Sequence, residues 1–450
     1  MGAFIVMAKP KIEARLPKGM RDFLPQELIK REYVFGVVRE VFHLYGFEPL
    51  QTPVLELRET LMGKYGEDAE KLIFNAQHPG GKEELALRYD LTVPLARVVG
   101  QYPNAISLPF KRYQLAPVWR GERPQRGRYR EFYQCDADIV GVAGMNADAE
   151  IVSLIVTALK RLGFQQFRVK INSRRLLTAI GQFAGVEGEH LANLYRSIDK
   201  FDKIGADGVR AELEQRGLPA DVTARIMDLI TLDQPGLHKL DALADALKNS
   251  PEAEAGLREL RELIGYLEMA SVDPACYEFD FTMVRGLGYY TGPIFETVIT
   301  EPNLGSVTGG GRYDELVGLF RGEPLPTTGT SLGIERIIDL MEILNLYPPH
   351  IGGTVVDVFV TVFNEATRPA ATRLAADLRA AGVRTELYLQ DKNLGKQMSY
   401  ADRKGIPVVA IVGEDEIAAG TVKLKRLRDG QEIAVPLAEA PSAVRALLAD

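Results

Sequence analysis

Between residues 111 and 138 the chain reads KRYQLAPVWRGERPQRGRYREFYQCDAD. Two β-rich runs, RYQLAPVWR and YREFYQCDADIVG, flank a short stretch punctuated by Pro124 and Gly127. This pattern predicts a long antiparallel hairpin, because Pro and Gly stop the strands where the chain must turn back. Residues 110–132 hold seven Lys/Arg and two Glu, although the whole chain carries a net charge of −7. Arginines gathered on one hairpin make little sense as a core. They make good sense around phosphates, because each guanidinium fork meets two phosphate oxygens at once. A solvated basic loop is the alternative, and this stretch alone does not decide between them.

At 450 residues the chain is too long for one core and implies two or three domains. Its 46% hydrophobic and 26% charged residues are those of an ordinary globular protein. Cys135 and Cys276 are the only cysteines, too few for a disulfide framework or a metal finger, and they fit a reducing, cytoplasmic setting. The apolar run at residues 3–6 is too short for a signal or membrane helix, and residues 1–15 read as a basic, mobile leader. An acidic total with local basic clusters argues against a general nucleic-acid coat and permits a specific RNA partner.

Taken in order, LPKGMRDFLPQE leads into a helix over about residues 26–45 with Val34, Val38, Val41, Phe42 and Tyr45 along one stripe. Gly46 ends it, and FEPLQTPVLE continues as a strand bent at Pro49 and Pro53. In ELALRYDLTVPLARVV, Arg88, Asp90 and Thr92 fall at period two, on one face of a strand turned to water or to a pocket. Residues 146–270 are Leu/Ala/Glu/Arg-rich, and about 181–270 read as an inserted helical module after the strand QFRVKINS. Strand text returns in CYEFDFTMVRGLGYYTGPIFETVI, where Gly286 and Gly288 beside Arg285 would let a ligand approach the backbone. Asp280 or Glu296 would instead partner a structural arginine there. Tyr289 and Tyr290, on a strand, would send one ring to each face. TGGGRYDELVGLF puts three glycines before a helix, only weakly like a phosphate cradle, and GTSLGIERIIDLM is a strand-to-helix turn. Arg336 near that helix start is out of place unless an anion lies close, since helix N-termini are already positive. From residue 354 strands and helices alternate as in a parallel α/β domain. There the run at residues 423–428, KLKRLR, suits either a solvated edge strand or RNA phosphate.

Together these segments resemble the histidyl-tRNA synthetases, a class II aminoacyl-tRNA synthetase family, over nearly the whole chain. LPKGMRDFLP is similar to that family's start. The first helix and the Pro53 strand resemble class II motif 1, residues 118–134 motif 2, and GTSLGIERI motif 3. RGLGYYTG and LRYDLTVP resemble signatures of the histidine-specific members. Gly288 and Gly121 depart from the family's usual residues. The resemblance implies an α+β catalytic domain on an antiparallel sheet over residues 16–350, with the helical insertion. An α/β anticodon-binding domain over residues 354–450 would follow.

The resemblance also implies the chemistry. Histidine's carboxylate attacks the α-phosphate of ATP, and the adenylate then passes to the 3′ end of tRNA-His. Anions meet in both steps, so charge and positioning should dominate. The family's catalytic arginines match Arg120 and Arg285. Histidine would be held by Asp90, Leu91, Thr92, Arg120, Gln134, Asp138, Arg285, Tyr289 and Tyr290. Of these, Asp138 and Tyr290 match the positions that hold the imidazole. ATP would meet Arg120, Glu122, Arg128, Phe132, Gly333 and Arg336, with Mg2+ on its outer phosphates. Arg123, Gln125 and Arg126 would face the acceptor end of the tRNA. A homodimer through motif 1 is implied as well. The rival on the same fold is the synthetase-like regulatory subunit of ATP phosphoribosyltransferase, which generally lacks the C-terminal domain and the catalytic arginines.

Overall fold

The computed structural model describes residues 13–65, 70–125, 127–186, 189–284 and 289–449. They form two compact units. One holds residues 34–346 with the segment ending at Arg21, and the other holds Asp22–Tyr33 with the chain from Tyr347 onward. The first turns of the helix Pro25–Leu44 therefore go with the second unit, although the sequence places them in the first. Most of the expected leader lies outside the described residues.

In chain order the strands of the first unit begin with β1 (Glu48–Pro49), β2 (Leu55–Leu57), β3 (Asn75–Ala76) and β4 (Leu85–Leu87). The expected hairpin follows as β5 (Phe110–Trp119) and β6 (Glu131–Val140). Then come β7 (Phe167–Ser173), β8 (Tyr277–Phe279), β9 (Pro293–Ile299), β10 (Ser306–Arg312) and β11 (Thr327–Gly333). Eight of them make one sheet in the order β1-β5-β6-β11-β10-β9-β7-β8, antiparallel except for the edge pairs β1/β5 and β7/β8. The other three form a small sheet, β2-β4-β3.

Register decides what the large sheet displays. Gln134, Asp136 and Asp138 lie opposite Ala116, Gln114 and Arg112 on β5 and opposite Gly333, Ser331 and Gly329 on β11. Alternation turns all nine to one face. The other face packs on the helix Asn146–Arg161, whose Ile151, Val152, Ile155 and Leu159 are fully buried. The inserted module is a run of helices from Glu189–Ile198 to Pro251–Met269, the last capped by Ser250, whose side chain accepts from Ala253 N at 3.2 Å.

Four expectations change. The strand of ELALRYDLTVP stops at Leu87, because Asp90 Oδ1 accepts from Val93 N at 3.1 Å and starts the helix Thr92–Gln101. Arg88 is buried and donates to Thr52 O at 2.9 Å, so it shares no face with Asp90. FEPLQTPVLE is not one bent strand. Its two ends, β1 and β2, belong to different sheets. Gly309, Gly310 and Gly311 lie within β10 and not ahead of a helix. A Cβ at Gly310 would stand 2.2 Å from Gly329 O, so close packing of β10 on β11 needs glycine there.

The second unit holds β12 (Val358–Val360), β13 (Thr385–Leu387), β14 (Val408–Ile411), β15 (Thr421–Arg426) and β16 (Glu432–Pro436), in the order β13-β12-β14-β15-β16. The first three are parallel, joined by the helices Arg368–Ala380 and Leu394–Lys404, but β15 and β16 are antiparallel. So β15 is an interior strand, not an edge. Its cations are also spoken for: Lys423 faces Glu416, Lys425 faces Glu432 and Arg426 faces Asp429. Among the described residues no helix is long and apolar enough to cross a membrane.

Candidate active site

The face of β6, β11 and β10 floors a cavity of about 310 Å³. Asp90 enters from the segment between β4 and its following helix, Arg120 from the end of β5, and Tyr289 and Tyr290 from the chain before β9. Both tyrosines line this one cavity. They are not on a strand, so the rings need not diverge; they meet edge-on with centroids 5.0 Å apart. The Tyr289 hydroxyl shares hydrogen bonds with Thr92 and Tyr290, and burial pushes both tyrosines above their ordinary value.

The polar groups here are deeply buried. Asp90 Oδ1 accepts from Tyr65 Oη at 2.9 Å and from Val93 N, while its Oδ2 has no hydrogen-bond partner among the described residues. Gln134 Nε2 donates to Ser331 Oγ at 3.1 Å, and its Oε1 has no hydrogen-bond partner among the described residues. Asp138 accepts from the Tyr313 hydroxyl, and Arg112 Nη2 lies 2.8 Å from its other oxygen. Gly329 makes that posture possible: a Cβ there would come within 2.0 Å of Asp138 Oδ1. Burial raises the Asp90 and Asp138 carboxyls, against the pull of hydrogen bonds at Asp90 and of Arg112 at Asp138. Asp136 is pushed up to about 7 by burial and by neighbouring Asp138, with Arg112 opposing.

That shift has a sign. The folded chain holds a proton on Asp136 that the unfolded chain has released above its ordinary value of 3.8. This stabilisation is present below 3.8 and is lost as pH rises through about 7. Asp136→Asn should therefore unfold later than the parent at pH 8, by on the order of 1–3 kcal/mol. The gap should close by pH 4. Thermal melts across this range check it, and a gap of constant size would contradict it.

Beside the cavity lies a second hollow of about 230 Å³ that shares Arg120, Phe132, Tyr133, Ser306 and Gly333 with it. The Arg120 guanidinium stacks 4.4 Å from the Tyr89 ring and 5.1 Å from the Phe132 ring. Arg128 Nε is 2.9 Å from Glu122 Oε2, so these two residues hold each other here. Arg336 donates to Ser306 O at 2.7 Å. Glu335 pairs with Arg21, which also stacks 3.4 Å from the Tyr129 ring. At the hairpin tip Gln125 and Arg128 exchange backbone bonds of 3.0 and 2.9 Å, and Arg123 and Gln125 are exposed.

Of the expected site residues, the structure gathers Asp90, Thr92, Arg120, Phe132, Gln134, Asp138, Tyr289, Tyr290 and Gly333 around the first cavity. It sets Glu122, Arg128 and Arg336 around the second hollow. Leu91 turns its side chain into a core cluster with Ala116 and Val118. Arg126, Arg285 and Gly288 lie outside the described residues. Sequence reasoning missed Arg112, Asp136, Tyr65, Tyr313 and Ser331. Only Asp136 had a signal, since it sits between Gln134 and Asp138 at period two. Among the described residues no group of three His, Cys, Asp or Glu is arranged to hold a metal.

The family profile described as histidyl-tRNA synthetase matches residues 19–337, and one for an anticodon binding domain matches residues 357–447. A histidine–tRNA ligase of Aeropyrum pernix is 46% identical over 443 residues, spanning 96% of this chain and 98% of that relative. The crystal structure of histidyl-tRNA synthetase from Nostoc sp. superposes with a TM-score of 0.85 at 32% identity, covering 97% of this chain and all of that one. A Bacillus halodurans structure described as an ATP phosphoribosyltransferase regulatory subunit/histidyl-tRNA synthetase gives 0.73 at 24% identity, covering 87% and 97%, and shares the fold.

Proposed function

Because this chain belongs to the histidyl-tRNA synthetases, class II enzymes with an anticodon-binding domain, we infer that its two joined hollows take histidine and ATP. One observation carries the reading. Open acceptor oxygens of Asp90 and Gln134 share a cavity with Arg120, and that arginine also borders a hollow bearing Arg128 and Arg336. Acceptors suit an ammonium and the arginines suit carboxylate and phosphate. The ammonium of histidine lies at Asp90, Thr92 and Gln134, and its imidazole lies toward Asp138 and Tyr290. The carboxylate meets Arg120 and attacks the α-phosphate, and pyrophosphate leaves. The 3′ ribose hydroxyl of tRNA-His then attacks the acyl carbon, and AMP leaves.

Phe132 stacks on adenine beside Glu122, Gly333 lies at the same place, and Arg128 and Arg336 take the outer phosphates. Arg128 must first release Glu122. Arg285 acts at the α-phosphate. Of the ATP hollow's carboxylates, Glu122 faces Arg128 and Glu335 faces Arg21, so the fold offers magnesium few ligands. That fits an ion carried mainly by phosphate oxygens. Exposed Leu44, Val54, Leu55 and Leu57 offer apolar surface for a homodimer through the motif 1 segment. The setting is the cytoplasm, where tRNA is charged.

The test is ATP–pyrophosphate exchange across amino acids. Exchange driven by histidine alone is expected, and equal exchange with others, or none, would overturn the reading. Arg120, Arg336 and the second unit favour ligation over the regulatory role. At the hairpin tip, exposed Gln125 reads an acceptor-end base while Arg123 and Arg126 meet phosphate. Gln125→Ala should leave exchange intact and lower aminoacylation selectively for one acceptor-end identity. An unchanged order among acceptor-end variants would remove Gln125 from that role.

A further inference from the structure

We propose that Arg21 is a positioning residue for ATP: from the entry segment it neutralises Glu335 and steadies Tyr129, and so readies the second hollow for a triphosphate. The proposal rests on that hollow being the ATP site.

Residues 17–21 lie against the hairpin. Met20 N donates to Pro17 O at 3.2 Å, and the turn so made presents Gly19 O to Arg130 N at 2.9 Å. Gly19 has a φ of 86°, and a Cβ there would stand 2.7 Å from Pro124 Cγ and 2.9 Å from Arg130 Cγ, so this approach needs glycine. Arg130 in turn donates from Nε to Glu122 O at 3.0 Å. The segment therefore grips the hairpin beside Glu122, Arg128 and Tyr129, which wall the hollow. The chain from Asp22 goes with the second unit, so this hold on the first unit ends at Arg21.

Arg21 extends the hold from the hairpin to the helix Ile334–Ile343. Its guanidinium lies 3.4 Å over the Tyr129 ring, a cation–π contact, and pairs with Glu335 Oε2. Glu335 is 8% exposed, and its Oε1 accepts from Tyr133 N at 3.4 Å. Tyr129, Tyr133 and Glu335 line the hollow, whereas Arg21 does not. An entering triphosphate meets the carboxylates of Glu122 and Glu335 there. Glu122 faces Arg128, which must leave it to reach phosphate. Arg21 has no such second duty, so Glu335 stays compensated while the nucleotide is bound. Without Arg21 a buried carboxylate would face phosphate at low dielectric, where like charges repel strongly.

The experiment is exchange kinetics in ATP and in histidine, with calorimetric ATP binding and a melting curve, for the full chain and its variants. Arg21→Met keeps an apolar stem over Tyr129 and removes the charge. It should raise KM and Kd for ATP about tenfold, with kcat and histidine KM within about threefold. Adding Glu335→Gln to Arg21→Met should bring the ATP values back to within about threefold of the parent, because the repelling charge is gone while an oxygen still accepts from Tyr133 N. Arg21→Lys keeps the charge and should stay within about threefold throughout. If Arg21→Met does not fold, Arg21→Gln takes its place. Unchanged ATP KM and Kd overturn the proposal, and so does a rise that Glu335→Gln fails to reverse. A joint decline of kcat and both KM values in step with melting temperature also overturns it, since Arg21 would then be structural only. Absence of histidine-dependent exchange in the unaltered chain would instead overturn the assignment of the hollows.

Discussion

Arg120→Ala is expected to slow histidine-dependent exchange by about 10²–10³-fold at saturating substrates, the effect of removing one preorganised donor from a developing charge. Its backbone N donates to Arg130 O at 2.9 Å, which fixes the end of β5 against the returning strand. Its Nε donates to Tyr89 O at 3.1 Å, and the guanidinium lies between the Tyr89 and Phe132 rings. The fork is thus oriented before any anion arrives, at the junction of the two hollows. One carbonyl bond and two ring contacts are modest supports, so the melting curve should move by less than about 1 kcal/mol. Arg120→Lys should recover only part of the rate, because a point charge cannot span two oxygens. Near-normal turnover together with a large loss of stability would make Arg120 a structural residue.

The largest effect on stability belongs to the back of the same sheet. Arg312→Ala should destabilise the chain by about 3–5 kcal/mol, because it strands a buried carboxylate. Asp148 is fully buried and takes both Arg312, with Nε at 3.1 Å, and the Thr328 hydroxyl at 2.8 Å. Arg312 also donates to Val142 O and Gly144 O, at 3.0 and 3.2 Å, so its removal leaves two carbonyls unmet. Burial already pushes the Asp148 carboxyl upward, and Arg312 is the chief force holding it down. Combining Arg312→Leu with Asp148→Leu should recover much of the loss, since apolar side chains can replace a buried pair. Urea unfolding of the two variants beside the parent decides. A single-variant loss below about 1 kcal/mol would show that water reaches Asp148 and that the pair is not dry.

How much of this was legible in the sequence depended on whether local order carried the meaning. The hairpin was legible, because Pro and Gly separate two β-rich runs, whereas Gln134 and Asp138 were named only through the family resemblance. Asp90 was misread as a strand residue because Asp also binds backbone N–H groups, and here it starts a helix. The tyrosine pair was misread for a related reason: period two says nothing once the chain leaves the strand. Arg112 could not be singled out within an arginine-rich run. Its role appears only when β5 and β6 pair and set it opposite Asp138. Tyr65 and Tyr313 come to the pocket from distant segments, so neither had a local signal. The run at residues 423–428 looked basic because its acidic partners, Glu416, Glu432 and Asp429, lie outside it.

The contact between Gly329 and Asp138 also bears on how this pocket can diverge. A side chain at 329 would occupy the space that Asp138 Oδ1 holds, so the two positions are not free to vary independently. A lineage that first gains a methyl group at 329 passes through a form whose acid is driven off Tyr313. One that first shortens 138 removes that collision but still sets a Cβ at 329 within 2.8 Å of Ala137 O, so the backbone must give as well. Glycine at 329 is thus held by two neighbours at once, a side chain that could change and a strand that could not, so position 138 is the freer of the two to diverge.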